Sequence, residues 1–187
     1  MPVSKKRKTK KNGAPNRRLT IRQSARKTAE ETMSQIIEAY DIVKAIKPNV
    51  IDLIAAELAI AREYVENKLN ETVVALDVEE QLGQALDQLE AFQDKIDADT
   101  KTINNALVAI DGIMKEADVS ASQIMELVKN KKDIGEVRDD LLGLEIDLTN
   151  IVDSALMHVN NANTIAMSIG LEWKELISKV PGLNEQG

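Results

Sequence analysis

The 187-residue chain has a formal net charge of −7 and no cysteine, and 43% of its residues are hydrophobic but only 2% aromatic. This length allows one ordinary domain or two small ones with a real core, and the lack of cysteine excludes disulfides, thiolate metal sites and cysteine nucleophiles. Because aromatic side chains fill thick cores, their scarcity favours helix-on-helix seams over a β-sandwich or an α/β sheet.

Charge is divided unevenly along the chain. Residues 1–27 contain eleven basic residues and no acidic one, so they carry +11 and residues 28–187 carry −18. This asymmetry is typical of a tail that binds an anionic partner and a body that repels one. The sequence has no run of about 18 apolar residues and no apolar segment behind its first lysines. We therefore expect no membrane span, no secretory signal and an intracellular location.

Residues 1–18 are predicted to form a flexible, disordered basic tail, because they include few apolar residues and their like charges repel. Through residues 1–27 we expect nonspecific contact with nucleic acid or another polyanion, since no aromatic residue is interleaved for base stacking. Nuclear import through residues 5–8 in a eukaryotic source, protein docking and simple solubilisation are the alternatives. The candidate nucleic-acid-binding residues are Lys5, Lys6, Arg7, Lys8, Lys10, Lys11, Arg17 and Arg18.

A helical body is predicted over residues 19–181. Two S/T-x-x-E/Q spacings, Thr20 with Gln23 and Thr28 with Glu31, are alternative capping boxes for its first helix. Apolar residues then recur every three or four positions, as on one face of a helix. They are Met33, Ile36, Ile37, Tyr40, Val43 and Ile46.

Pro48 is predicted to end this first helix near Lys47, because proline disfavours helical backbone in the residue before it. A second helix is expected from about Asn49. Its apolar positions are Ile54, Leu58, Ala61, Val65, Leu69, Val73 and Leu76. Asp77 fits either a new N-cap or the middle of a continuous helix, so residues 50–116 can form one helix or two.

A heptad seam interrupted by two polar residues follows. It consists of Leu82, Leu86, Leu89, Gln93, Ile96, Thr100, Ile103, Leu107, Ile110 and Met114. A helix break is predicted at 118–122, because Ser120 and Gln123 have capping-box spacing, and a second break is predicted at 129–133.

The most regular periodicity predicts a long helix over about 133–179, ended by the Val-Pro-Gly sequence at 180–182 and followed by a C-terminal tail, 182–187. At about 1.5 Å per residue its seam is roughly 50 Å long. The seam residues are Ile134, Val137, Leu141, Leu144, Leu148, Ile151, Ala155, His158, Ala162, Ile165 and Ile169.

The flanks of this seam bear on whether it forms a coiled coil or a bundle. In a parallel homodimer the residues beside the seam would pair between chains as Asp133 with Arg138, Asp140 with Glu145, and Asp147 with Val152. The first pair attracts, the second repels and the third does neither, so the sequence does not favour a parallel homodimer. Further apolar residues widen the stripe, as in a helix that contacts two neighbours. They are Val152, Val159, Ala166 and Trp173. The fold is predicted to be all-α, with long amphipathic helices in an antiparallel or coiled-coil-like bundle, completed within the chain or between chains.

Catalytic equipment is scarce. His158 is the only histidine and lies on the long seam, so it is interpreted as a core residue, with a metal ligand or a pH-sensitive group of the seam as the alternatives. The sequence contains neither a P-loop nor a G-x-G-x-x-G motif. We expect no enzyme activity, no metal or cofactor and no small-molecule substrate.

The opening sequence MPVSKKRK (residues 1–8), followed by an acidic helical body, resembles small helical structural or assembly proteins of tailed bacteriophages. The resemblance implies a non-enzymatic role and a place in a virion. The sequence hypothesis is therefore a structural or assembly protein whose tail contacts nucleic acid and whose body self-associates or docks on protein. The alternative is a helical adaptor or inhibitor that binds a cellular protein.

Overall fold

The all-α prediction is confirmed by a computed structural model, which describes residues 20–71, 75–130 and 133–183. Every regular element in these ranges is helical. In chain order they are α1 (Ile21–Ile46), a π-helical segment (Lys47–Ile51), α2 (Asp52–Leu69), α3 (Leu76–Lys129) and α4 (Ile134–Ser178).

The first of the two capping boxes marks the start of α1. The Thr20 hydroxyl accepts a hydrogen bond from the Gln23 backbone N–H at 3.1 Å, and the Thr20 N–H donates to Gln23 Oε1 at 3.0 Å. These bonds satisfy two backbone groups that the first helical turn leaves without partners. The alternative pair, Thr28 and Glu31, lies inside α1.

The prediction that Pro48 ends the first helix near Lys47 is confirmed for the α-helix, but the chain does not leave the helical path there. α-Helical hydrogen bonding stops at Ile46, but the chain continues through the π segment directly into α2. In this wider turn the Asp52 N–H donates to the Lys47 carbonyl, five residues back. The π-helical turn accommodates Pro48, which has no N–H to donate. A π turn contains one residue more than an α turn, and this places Ile51 on the same buried face as Ile46.

The helix break predicted at 118–122 is absent, because α3 runs unbroken from Leu76 to Lys129. Every seventh residue along it is buried: Leu82, Leu89, Ile96, Ile103, Ile110, Ala117 and Ile124. Burial of Ala117 and Ile124 outweighs the local capping signal at Ser120. The break at 129–133 is present, and residues 50–116 belong to two helices.

Three long rods make up the bundle: α1, the π segment and α2 together, then α3, then α4. Arg62 near the end of α2 pairs with Glu90 in the first part of α3, and α1 as well as α2 packs along α3, so these rods are antiparallel. The seam of α4 is packed against both α1 and α3, as the widened stripe predicted, and Val152, Val159 and Trp173 are buried. The bundle is thus completed within one chain.

Three of the four aromatic residues lie at the end of the bundle where α4 finishes. The Phe92 and Trp173 rings are 5.4 Å apart between centroids, and the indole N–H of Trp173 donates to Glu57 of α2. The Tyr64 hydroxyl donates to the Pro181 carbonyl at 3.3 Å. These contacts hold the last part of α4 against both neighbouring rods and the turn after it against α2.

Gly182→Ala is expected to lower the free energy of unfolding by about 1–2 kcal/mol. Gly182 has a φ of 79°, and a Cβ added there would lie 2.5 Å from Tyr64 Oη. Urea denaturation followed by circular dichroism measures the change. Gly112→Ala is the matched control, because a Cβ meets nothing within 4 Å there and the α3 interior should gain about 0.5–1 kcal/mol. Equal effects of the two changes would contradict the role given to the Gly182 turn.

Candidate interaction surfaces

The eight candidate nucleic-acid-binding residues, Lys5 to Arg18, lie outside the residues that the structure describes. Two basic residues of the 1–27 segment form ion pairs along α1. Arg26 Nε lies 3.7 Å from Glu30 Oε1, and Lys27 Nζ lies 3.8 Å from Glu31 Oε1. All four side chains are more than half exposed, so these pairs contribute little to stability. The α1 residues nevertheless offer less free positive charge than their number suggests.

The predicted α4 seam is used inside the molecule. Seven of its eleven residues are buried, namely Val137, Leu141, Leu148, Ile151, Ala155, Ala162 and Ile169. The other four, Ile134, Leu144, His158 and Ile165, are partly buried. Because the seam packs against α1 and α3, it is not a surface for another protein.

His158 lies in a groove of about 220 Å³ between α3 and α4, lined also by Ile103, Asn105 and Ile165. It is half-buried rather than fully enclosed. Among the described residues, no group of three or more histidine, aspartate or glutamate side chains is placed to hold a metal ion.

An acidic groove of about 620 Å³ lies near the turn between α3 and α4. Among the described residues, four carboxylates line it, from Glu126, Asp139, Asp140 and Asp147, together with apolar Leu127 and Leu144. These carboxylates repel polyanions.

The environment of Glu145, in the first third of α4, disfavours the charge of its carboxyl. Burial raises the pKa of this carboxyl, and Oε1 is enclosed without a hydrogen-bond partner among the described residues. The ionised form is therefore less favourable in the folded protein than in the unfolded chain.

The solvent side of α4 carries a row of ten exposed residues, here called the outer stripe. They are Leu142, Ile146, Thr149, Asp153, Leu156, Met157, Asn160, Thr164, Met167 and Leu171. Six of the fourteen large apolar residues that are exposed within the described ranges belong to it. Singly scattered apolar residues are ordinary on protein surfaces, but a row along one helix face is typical of an interaction site.

Sequence reasoning missed the outer stripe because it followed the buried seam of the same helix. One signal was available: between Thr149 and Leu171 the only charged residue is Asp153, with His158 neutral. A solvated helix face normally carries many charges. The scarcity of charged residues in this segment indicates that its exposed face contacts something other than water.

Comparison with known proteins gives no family assignment, because no protein-family model, no curated protein and no solved structure matches the chain. Within the described ranges no helix combines the length and apolar character needed to cross a bilayer. The division of charge and the outer stripe are therefore the two features of the chain that bear on its function.

Proposed function

We propose that the protein is a non-enzymatic structural or assembly protein that contacts nucleic acid through its basic N-terminal segment and other protein chains through its helical body. The observation that carries this proposal is the charge of +11 in residues 1–27 against −18 in the rest. Cationic segments bind phosphates by releasing counterions, whereas an acidic body is repelled from them. Nucleic acid is thus contacted from one end of the chain.

The start of α1 supports the assignment of nucleic-acid contact to the N-terminal segment and protein contact to the helical body. The Thr20 capping box separates eight basic residues, all before position 20, from the helical body. Those eight residues precede any acidic residue in the chain, the first of which is Glu30. Binding through them is nonspecific, because lysine and arginine contacts to phosphate carry no base information by themselves.

The body supports the second half of the proposal. The buried apolar residues of the body contact one another within the chain, so a contact with another protein must use an exposed face. The outer stripe is an exposed face with six large apolar residues. A place in a tailed-phage virion belongs to the same proposal, through the resemblance of residues 1–8 and the acidic helical body.

Removing residues 1–19 is expected to abolish most binding to fluorescent random-sequence DNA, measured by anisotropy across a salt series. For the full chain, log Kd should vary with log salt with a slope of several units, at about 0.9 per phosphate contact. The truncation starts at Thr20 so that the capping box of α1 is retained. Circular dichroism and thermal melting should remain nearly unchanged.

The matched control keeps the length of the segment and removes four charges: Lys5→Gln, Lys6→Gln, Arg7→Gln and Lys8→Gln together. It should bind with intermediate affinity and a smaller slope. Equal DNA binding by the truncated and full-length chains would overturn the proposal. Absence of binding even at low salt would also overturn the nucleic-acid half and favour a helical adaptor that binds a cellular protein.

A further inference from the structure

The outer stripe of α4 reads the same in both directions from its centre. From Leu156 toward the N-terminus the stripe residues follow at steps of three, four, three and four: Asp153, Thr149, Ile146 and Leu142. From Met157 toward the C-terminus the steps are again three, four, three and four: Asn160, Thr164, Met167 and Leu171. Residue types match as well, with apolar opposite apolar, threonine opposite threonine and aspartate opposite asparagine.

A sequence with this symmetry is complementary to an antiparallel copy of itself. A two-fold axis that crosses the helix between Leu156 and Met157 would place each stripe residue level with its counterpart on the second copy. Leu142 then faces Leu171, and Ile146 faces Met167. Alternating steps of three and four residues are also those that let two helices pack along a shared seam.

We propose that the outer stripe is the interface of an antiparallel homodimer, in which α4 packs against α4 of a second copy of this chain. The contact extends from Leu142 to Leu171, about 44 Å at 1.5 Å per residue. This proposal deepens the assembly function proposed above, because it names the protein partner as the chain itself.

The threonine layers of the stripe can be buried without leaving their hydroxyl donors unpaired. The Thr149 hydroxyl donates to the Glu145 carbonyl at 3.0 Å, and the Thr164 hydroxyl donates to the Asn160 carbonyl at 2.9 Å. Both threonines therefore already use their hydrogen-bond donors within α4. The next layer places the Asp153 carboxylate level with the Asn160 amide of the second copy, a donor and acceptor match that selects this register.

The low charge of the outer stripe is compatible with the pairing of two copies. Two bodies of −18 repel each other, so their association requires a face that carries little charge of its own. Along the outer stripe Asp153 is the single charged position, and its counterpart is the neutral Asn160. A parallel pairing would instead set Asp153 against Asp153.

Sedimentation velocity of the full-length protein, free of nucleic acid and at about 0.15 M salt to screen the net charge, tests the oligomeric state. Over about 1 to 100 μM the wild type should convert from monomer to dimer. Ile146→Glu should raise the dimer Kd by about a hundredfold, because the change enters the symmetric interface twice at about tenfold each. Val108→Glu is the matched control: Val108 is 72% exposed on α3 and should leave the dimer intact.

The antiparallel register has its own test. Combining Ile146→Glu with Met167→Lys in one chain should restore the dimer, because each new carboxylate faces a new ammonium. In a parallel pair the same double variant would set like charges against each other and stay monomeric. Circular dichroism checks that each variant keeps the helical content of the wild type.

Engineered cysteines give a second measure of register, since the chain has none of its own. Met157→Cys lies beside the proposed axis and should form a disulfide-linked dimer on mild oxidation. Leu171→Cys should not, because its two copies would lie about 44 Å apart along the helices. A wild-type monomer throughout the series, a dimer indifferent to Ile146→Glu, or cross-linking at both positions would each overturn the proposal. None of these results alters DNA binding by residues 1–19, so failure of the dimer and failure of the tail contact are told apart.

Discussion

Trp173→Ala is expected to lower the free energy of unfolding by about 3–5 kcal/mol, the usual range for removing a large buried aromatic side chain. Trp173 is only 3% exposed, packs against the ring of Phe92 of α3 at an interplanar angle of 39° and donates its indole N–H to Glu57 of α2. One side chain therefore joins all three rods at the end of the bundle, and alanine would leave a cavity there.

Urea denaturation followed by circular dichroism measures this loss, because Trp173 is the sole tryptophan and its removal abolishes the natural fluorescence probe. Trp173→Phe should cost less, since it keeps a ring for Phe92 and loses only the hydrogen bond to Glu57 and the volume by which indole exceeds phenyl. Leu53→Ala serves as the exposed control, with Leu53 59% exposed on α2 and an expected loss below about 0.5 kcal/mol. A loss below about 1 kcal/mol for Trp173→Ala would contradict its place in the core.

Ser122→Pro is expected to lower the free energy of unfolding by about 3 kcal/mol or more, because proline inside a helix removes a hydrogen bond and clashes with the preceding turn. Ser122 is exposed and lies in the interior of α3, so the backbone effect is separated from any loss of packing. The change also tests the continuity of α3 across 118–122.

Leu76→Pro is the matched control for this second prediction. Leu76 is the first residue of α3 and 81% exposed, and proline is well tolerated at that position of a helix. Its effect should stay below about 1 kcal/mol. Hydrogen exchange at residues 118–126 reports the local opening that Ser122→Pro should cause. If both proline variants were equally stable, the chain would break near Ser120 after all.

Short-range signals located several helix ends correctly. The Thr20 capping box, the break at 129–133 and the end of α4 before Pro181 and Gly182 all depend on residues within a few positions of each other. The seam of α4 was also predicted correctly. Apolar residues at steps of three and four lie on one face of a helix, whatever that face contacts.

One predicted break is absent and another changes only the type of helix, because packing between rods overrode a local signal. Pro48 stops α-helical hydrogen bonding but not the rod, since a π turn returns Ile51 to the buried face. The Ser120 capping box is not used, since Ala117 and Ile124 continue a buried seven-residue repeat. In both places apolar burial against another rod stabilises the helix by more than the local signal disfavours it.

The chain by itself determines the helical class, the division of charge and the ends of helices that capping and breaking residues mark, because these depend on near neighbours in sequence. Tertiary structure decides that the bundle closes within one chain and which face of α4 remains outside. The outer stripe becomes visible only at that point, since the same helix carries two apolar rows and only packing against α1 and α3 determines which of them is exposed.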